Sequence, residues 1–353
     1  MSWLRFRAGF CAVLLAISLT FLALGSAVPA ASAAEPGPNA RAIGRVMDVQ
    51  DRHTPRLVAL PGVVGTATGL DATGQPVVKV FLARAGGPPI PAKLDGETVV
   101  AEVTGEFFAL PKPPGAGGGT GATIDPKTRF DRPVPIGVST GNANECSAGT
   151  IGCRVVDGSG FVFALSNNHV YALENNAPIN SDVLQPGRYD TNCVYDANNV
   201  IGHLFDFEPI VFSTSANNTV DAAIALSSIN DLGNATPSNG YGTPKSVPVG
   251  PSIGQAVQKY GRTTALTKGT VIGINASVNV GYWSGTARFN YQIIVQARKP
   301  FIKAGDSGSL LVTDPGKNPV GLLFAGTSDG KTAIANDIGA VLYAFNVTID
   351  GEP

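Results

Sequence analysis

A serine sits between two glycines and directly behind an aspartate in Ala304-Gly305-Asp306-Ser307-Gly308-Ser309-Leu310-Leu311. Gly305 and Gly308 permit backbone angles that a Cβ blocks. A tight turn there can present the Ser307 hydroxyl and aim the N–H groups of Gly305 and Ser307 at one point. A nucleophile beside two convergent donors suits acyl transfer, the donors forming an oxyanion hole; the plainer alternative is a Gly/Ser turn between strands. Serine needs a base to be reactive, and the chain has 3 histidines. His169 closes the apolar run Phe161-Val162-Phe163-Ala164-Leu165 after a short polar step, which puts an imidazole at the rim of a sheet. His53 falls on a charged helix face and His203 at the start of a strand, and both read as structural. The third requirement is a buried carboxylate that fixes the tautomer of the base. Asp221 opens the apolar stretch Asp221-Ala222-Ala223-Ile224-Ala225-Leu226 and is costly to bury unless partnered. Asp182, Asp190 and Asp206 compete for the role from polar, loop-like surroundings.

Taken in order, Ser166-Asn167-Asn168-His169-Val170, Val220-Asp221-Ala222-Ala223-Ile224 and Gly305-Asp306-Ser307-Gly308-Ser309 resemble the chymotrypsin-like (trypsin-like) serine peptidases, in particular secreted bacterial members. Tyr260-Gly261-Arg262-Thr263-Thr264 resembles the Gly-centred strand those enzymes place between the aspartate and the serine. The resemblance covers residues 133–353. It implies two antiparallel six-stranded β-barrels with the site between them, a polypeptide substrate, and a triad of His169, Asp221 and Ser307 with Gly305 and Ser307 as the oxyanion donors. By the same resemblance Phe301 is the base of the specificity pocket, with Leu323, Phe324, Ala325 and Gly326 along its wall. A non-acidic base argues against a strict Arg/Lys preference. Asp306 turns inward to hold the loop, with Arg262 or backbone as its partner. The chain lacks an Ile-Val-Gly-Gly type mature N-terminus, so the activation switch of digestive proteases is not implied. Such chemistry uses no metal and no cofactor. Two alternatives follow from the same residues: a pseudopeptidase that binds peptides without turnover, and an esterase. The α/β-hydrolase elbow is disfavoured, because it needs Gly-x-Ser-x-Gly with the histidine last in the chain.

The elements that position these residues are short strands. Hydrophobic residues make up 44% and charged residues 14% of the chain, and Gly 43 and Pro 26 supply many turns, as an all-β main domain requires. A net charge of −1 leaves no basic footprint for nucleic acid. Apolar runs at 161–165, 220–226, 270–274, 291–295, 309–313 and 319–324 alternate with Gly, Asn, Asp and Pro clusters.

Upstream the organisation changes. Arg5 and Arg7 precede the apolar run Ala8 to Leu24, and Ala31-Ser32-Ala33 follows. This is the order of a cleavable signal peptide, residues 1–33, and predicts a secreted or periplasmic protein; a membrane association follows only if the segment stays uncleaved. Residues 35–110 read as a small α+β domain. It has a helix over 41–60 with Ile43, Val46, Val49 and Leu57 on one stripe, strands at 63–70 and 76–82 around Asp71-Ala72-Thr73-Gly74, and a further strand in 97–110. It carries no constellation of chemistry and fits a propeptide-like folding aid or inhibitor, a recruiting module, or a structural appendage. Residues 111–132 are a Pro/Gly-rich linker. Of the 4 cysteines, Cys11 leaves with the signal. Export permits disulfides; Cys146 can pair with Cys153 across a small hairpin, or Cys193 with either, since connectivity is not readable from sequence.

Overall fold

The computed structural model describes residues 38–109 and 124–353. The signal segment and most of the linker lie outside the described residues.

The described residues open with α1 (Pro38–Val58). Its apolar stripe buries Val46, Val49 and Leu57 against β1 (Val63–Leu70) and β2 (Pro76–Leu82), forming a small core with Val63, Val78 and Val80. The two strands form the expected antiparallel hairpin. Its turn is held by Asp71, whose Oδ1 accepts from the backbone N–H of Thr73 (2.8 Å) and Gln75 (2.9 Å). β3 (Lys93–Leu94) and β4 (Glu97–Val103) follow, β4 running parallel to β2. The last strand expected here breaks at Thr104-Gly105-Glu106 and resumes as the short β5 (Phe107–Phe108).

The first barrel comprises β6 (Ser139–Asn142), β7 (Gly149–Thr150), β8 (Cys153–Asp157), β9 (Val162–Ser166), β10 (Asp182–Leu184), β11 (Val200–Phe207) and β12 (Ala223–Ser227). β7 and β8 are halves of one run interrupted at Ile151-Gly152, β7 pairing with β6 and β8 with β9. That run closes a six-strand circuit around Ile136, Val155, Leu165, Leu204 and Ile224. The second barrel comprises β13 (Ala256–Gly261), β14 (Ala265–Tyr282), β15 (Gly285–Gln296), β16 (Leu310–Thr313), β17 (Pro319–Gly326) and β18 (Thr332–Asp337). The order β13-β16-β17-β18-β15-β14 closes through a β13–β14 pairing. Of the helices, the four-residue α2 (Asn168–Tyr171) carries His169, and α3 (Ile338–Phe345) is capped by Asp337, which accepts from Ala340 N–H at 3.0 Å. After α3, β19 (Val347–Ile349) adds to the outside of β8.

β14 is too long for its barrel. Its distal half and β15 project as a hairpin, and β1 pairs with that projection, Gly65 opposite Val278 and Thr68 opposite Ile274. β5 lies parallel to the hairpin at Val280 and Gly281 and antiparallel to β17 at Gly326. Phe81 and Phe107 from the N-terminal segment share one core with Val278, Phe289 and Phe324. The described N-terminal residues thus have a small core of their own, yet they share a sheet with the second barrel, and the described residues pack as one compact unit.

Candidate active site

Ser307 occupies the turn that leads into β16. Gly305 and Gly308 on either side have φ of 93° and 92°, the left-handed region where a Cβ is strained. The turn is held from below by Asp306, which is completely buried. One carboxylate oxygen accepts from the N–H groups of Thr263 (2.8 Å) and Thr264 (3.1 Å). The other accepts from Thr264 Oγ1 (2.7 Å) and Lys303 N–H (2.9 Å) and faces Lys259 Nζ at 3.3 Å. Lys259 is itself fully buried. This corrects one of the expectations for Asp306: Arg262 does not pair with it. The Arg262 guanidinium, in the turn that follows β13, goes instead to Asp190, with Nε 2.7 Å from Oδ2. From the first barrel, Thr150 Oγ1 donates to the Gly305 carbonyl at 2.8 Å and accepts from Arg262 N–H at 3.0 Å. Among the described residues the N–H groups of Gly305 and Ser307 have no hydrogen-bond acceptor, so both are free to receive a ligand oxygen.

His169 is delivered by β9 from the other barrel. Its Nδ1 lies 2.6 Å from Asp221 Oδ2, and its backbone N–H donates to Oδ1 at 3.2 Å. Asp221 is fully buried just before β12. It is fixed by Asn167 Nδ2 on its carbonyl (2.7 Å), by its own N–H on Asn336 Oδ1 (3.0 Å), and by the Tyr282 hydroxyl on Oδ2 (2.8 Å). Donation from Nδ1 to a carboxylate leaves the lone pair on Nε2 free to accept a proton. Nε2 of His169 and Oγ of Ser307 are both buried and both lack a hydrogen-bond partner among the described residues. Both residues line one cleft of about 420 Å³. An acceptor and a donor left unsatisfied on the same cleft complement each other, and buried polar groups without partners are rare enough to call for a role. The structure therefore brings His169 and Asp221 into direct contact and gathers Ser307 into their cleft, without a hydrogen bond between Ser307 and His169.

The expected specificity pocket is placed differently. Phe301, Leu323, Phe324 and Ala325 are entirely buried, Phe301 and Leu323 in the core of the second barrel and Phe324 and Ala325 in the core it shares with the N-terminal segment. None lines the cleft beside Ser307. Gly326 is buried as well, and its backbone is paired with Phe108. The cause is that β17 is buried along its whole length and β5 covers its end. The cleft is lined instead by Glu145, Cys146, Leu173, Glu174, Trp283 and Ala109, among others.

The remaining candidates resolve as structural. His53 Nε2 meets Asp95 at 3.0 Å on the helix face, and His203 Nδ1 meets Asp182 at 3.0 Å on β11. Cys146 bonds Cys193, leaving Cys153 free and buried, with burial pushing its thiol far above the ordinary range. Sequence reasoning missed Lys259, Thr150 and Tyr282. Only Tyr282 left a trace, as the next inward position of the alternation Val278, Val280, Tyr282 on β14. Among the described residues no three metal-ligating side chains converge.

Two closed six-stranded barrels with this cleft between them make the fold chymotrypsin-like. The chain is 36% identical over 100 residues to streptogrisin-A of Streptomyces griseus. The match takes in 28% of this chain and 31% of the relative, so it spans about a third of the relative's length. No family model matches. Among solved structures, a glutamic-acid-specific serine protease is 21% identical over 61% of this chain and 100% of its own, with a TM-score of 0.44. Thermobifida fusca protease A is 19% identical over 62% of this chain and 100% of its own, with a TM-score of 0.45.

Proposed function

We propose that the chain is an exported serine endopeptidase that hydrolyses peptide bonds through an acyl-enzyme. The observation that carries this is the pairing of His169 with Asp221 at 2.6 Å while His169 Nε2 and Ser307 Oγ stand unsatisfied on one cleft. His169 Nε2 takes the Ser307 proton as Oγ attacks the carbonyl carbon, and returns it to the leaving amine. Water then attacks the acyl-enzyme by the same route. Asp221 keeps the proton on Nδ1 and stabilises the imidazolium. The free N–H groups of Gly305 and Ser307 receive the oxyanion, each worth about 3–4 kcal/mol in the transition state. Catalytic hydrogen bonds are often open in the unliganded enzyme and close in the complex, which accounts for the separate Ser307.

The N-terminal segment has a part in this reading. β5 adds to the end of β17 as an antiparallel strand, the way peptides add to sheet edges, and the next residue, Ala109, lines the cleft with Ser307 and His169. Residues 107–109 thus hold the approach that an extended substrate would use, which favours a propeptide-like role for residues 35–110 over a recruiting module.

Labelling with a fluorophosphonate probe tests the chemistry. Covalent labelling that disappears in Ser307→Ala and His169→Ala, with cleavage of a peptide library by the parent, is the expected result. No label on the folded parent sinks the enzyme reading in favour of a binding module, and turnover of esters but never of peptides makes it an esterase. N-terminal sequencing of the exported protein shows whether residues 35–110 are removed, and activity that rises on their removal is the expected companion.

A further inference from the structure

We infer that Tyr282 is a positioning residue for the Asp221–His169 pair, carried in by the β14–β15 hairpin and locked there by Glu174. This rests on the peptidase reading above. The Tyr282 hydroxyl donates to Asp221 Oδ2 at 2.8 Å, the same oxygen that faces His169 Nδ1 at 2.6 Å. Asp221 has no side-chain hydroxyl donor other than this one among the described residues. The ring is set edge-on to His169 (centroids 5.9 Å apart) and to Phe212 (5.6 Å). Burial and the neighbouring Asp221 carboxylate push the phenol well above its ordinary value, so it remains a donor across the working range. The charged groups that act on it are Asp221 and Glu174.

Tyr282 is the last residue of β14, at the tip of a hairpin that extends beyond its barrel. Left alone, such a tip is free to move and would not define a hydrogen bond. Glu174, on the loop that follows His169, clamps it: one carboxylate oxygen accepts from Trp283 N–H at 3.2 Å and the other from Ser284 N–H at 2.8 Å. The tip of a hairpin from the second barrel is thereby tied to the histidine loop of the first. The same tie leaves Trp283 on the cleft wall with its side chain in solvent. A donor on Oδ2 shares the carboxylate's charge between Tyr282 and the imidazole and stops the carboxylate from rotating. Without it, Oδ2 carries more charge toward His169, so the imidazolium holds its proton to higher pH and the ring loses its fixed aim.

Tyr282→Phe, which keeps the ring, tests this in the full chain. The expected result is a kcat at least about tenfold lower, the loss that a hydrogen bond to a charged group implies. KM should stay near the parent value, and the acid limb of the kcat–pH profile should move up. Phe212→Leu loosens the same ring and keeps the hydroxyl, and it should leave the acid limb in place. A Tyr282→Phe enzyme with parental kcat and acid limb overturns the inference, as does a Phe212→Leu enzyme that reproduces both changes. If the parent is neither labelled nor active, the peptidase reading fails separately. The His169 imidazole is then titrated by NMR in the two variants: an upward shift confined to Tyr282→Phe supports the positioning role, and an unmoved midpoint removes it.

Discussion

Replacing Lys259 with methionine removes the only cation that faces Asp306 among the described residues and leaves the hydrocarbon volume nearly intact. Both side chains of the pair are completely buried at 3.3 Å separation. Burial pulls the Lys259 ammonium down and Asp306 pulls it back up, so the pair is what keeps each charge tenable. Breaking one partner of a buried pair costs about 3–5 kcal/mol, because the survivor is left uncompensated. Asp306 keeps four donors after the change, from Thr263, Thr264 twice and Lys303, which sets the expectation at the low end, about 3 kcal/mol. Asp306→Asn is expected to cost less, since a lone buried lysine can shed its proton. In the double variant no charge is stranded, so its loss should fall short of the sum of the singles by at least about 1.5 kcal/mol. Equilibrium urea unfolding, in a Ser307→Ala background so that the chain cannot digest itself, measures all three. In the active background, Lys259→Met should also lose fluorophosphonate labelling, because Asp306 shapes the turn that aims Gly305 and Ser307. A cost below about 1 kcal/mol for Lys259→Met, or singles that simply add, would refute the reasoning.

Gly308→Ala places a Cβ 2.3 Å from Ser166 Oγ and from the Thr150 carbonyl, at a φ of 92°. Neither neighbour can retreat without disturbing the barrel contact, so unfolding experiments should show a loss above about 2 kcal/mol, and a variant as stable as the parent would contradict the described turn. Removing the Cys146–Cys193 bridge by double serine substitution frees a loop with a sequence separation of 47, and urea midpoints should report about 2–4 kcal/mol. Cys153 should resist a thiol reagent in the native protein and react once it is unfolded; rapid native labelling would argue against its burial. Hydrogen bonds from Lys331 N–H and Thr327 hold the Asp329 carboxyl below its ordinary 3.8. A lowered folded value means stability that is present above 3.8 and lost as pH falls through the lower one. Asp329→Ala should therefore cost more stability at pH 6 than at pH 2, and an equal cost at both would refute the assignment.

Short apolar runs between turn residues pointed by themselves to a protein of many strands, and the runs at 63–70, 76–82, 161–165, 309–313 and 319–324 fall within a few residues of β1, β2, β9, β16 and β17. The β1–β2 hairpin was readable because its turn chemistry is local: Asp71 serves the N–H groups of Thr73 and Gln75 a few residues away. His169, Asp221 and Ser307 were visible as candidates because nucleophile, base and buried carboxylate each leave an unusual residue type at the end of an apolar run. Their assembly, by contrast, depends on pairings between strands far apart in the chain. Thr150 holding the Gly305 carbonyl, Lys259 beneath Asp306 and Tyr282 on Asp221 are long-range contacts between ordinary-looking residues, and no local pattern marks them. The same holds for the choice of Cys193 over Cys153, which the barrel decides by keeping Cys153 inside. The clearest division lies at Gly326. The family resemblance made it a pocket wall, and only the folded chain shows that β5 of the N-terminal segment lies against it, because a sheet edge offers its hydrogen bonds to whichever strand the topology brings alongside.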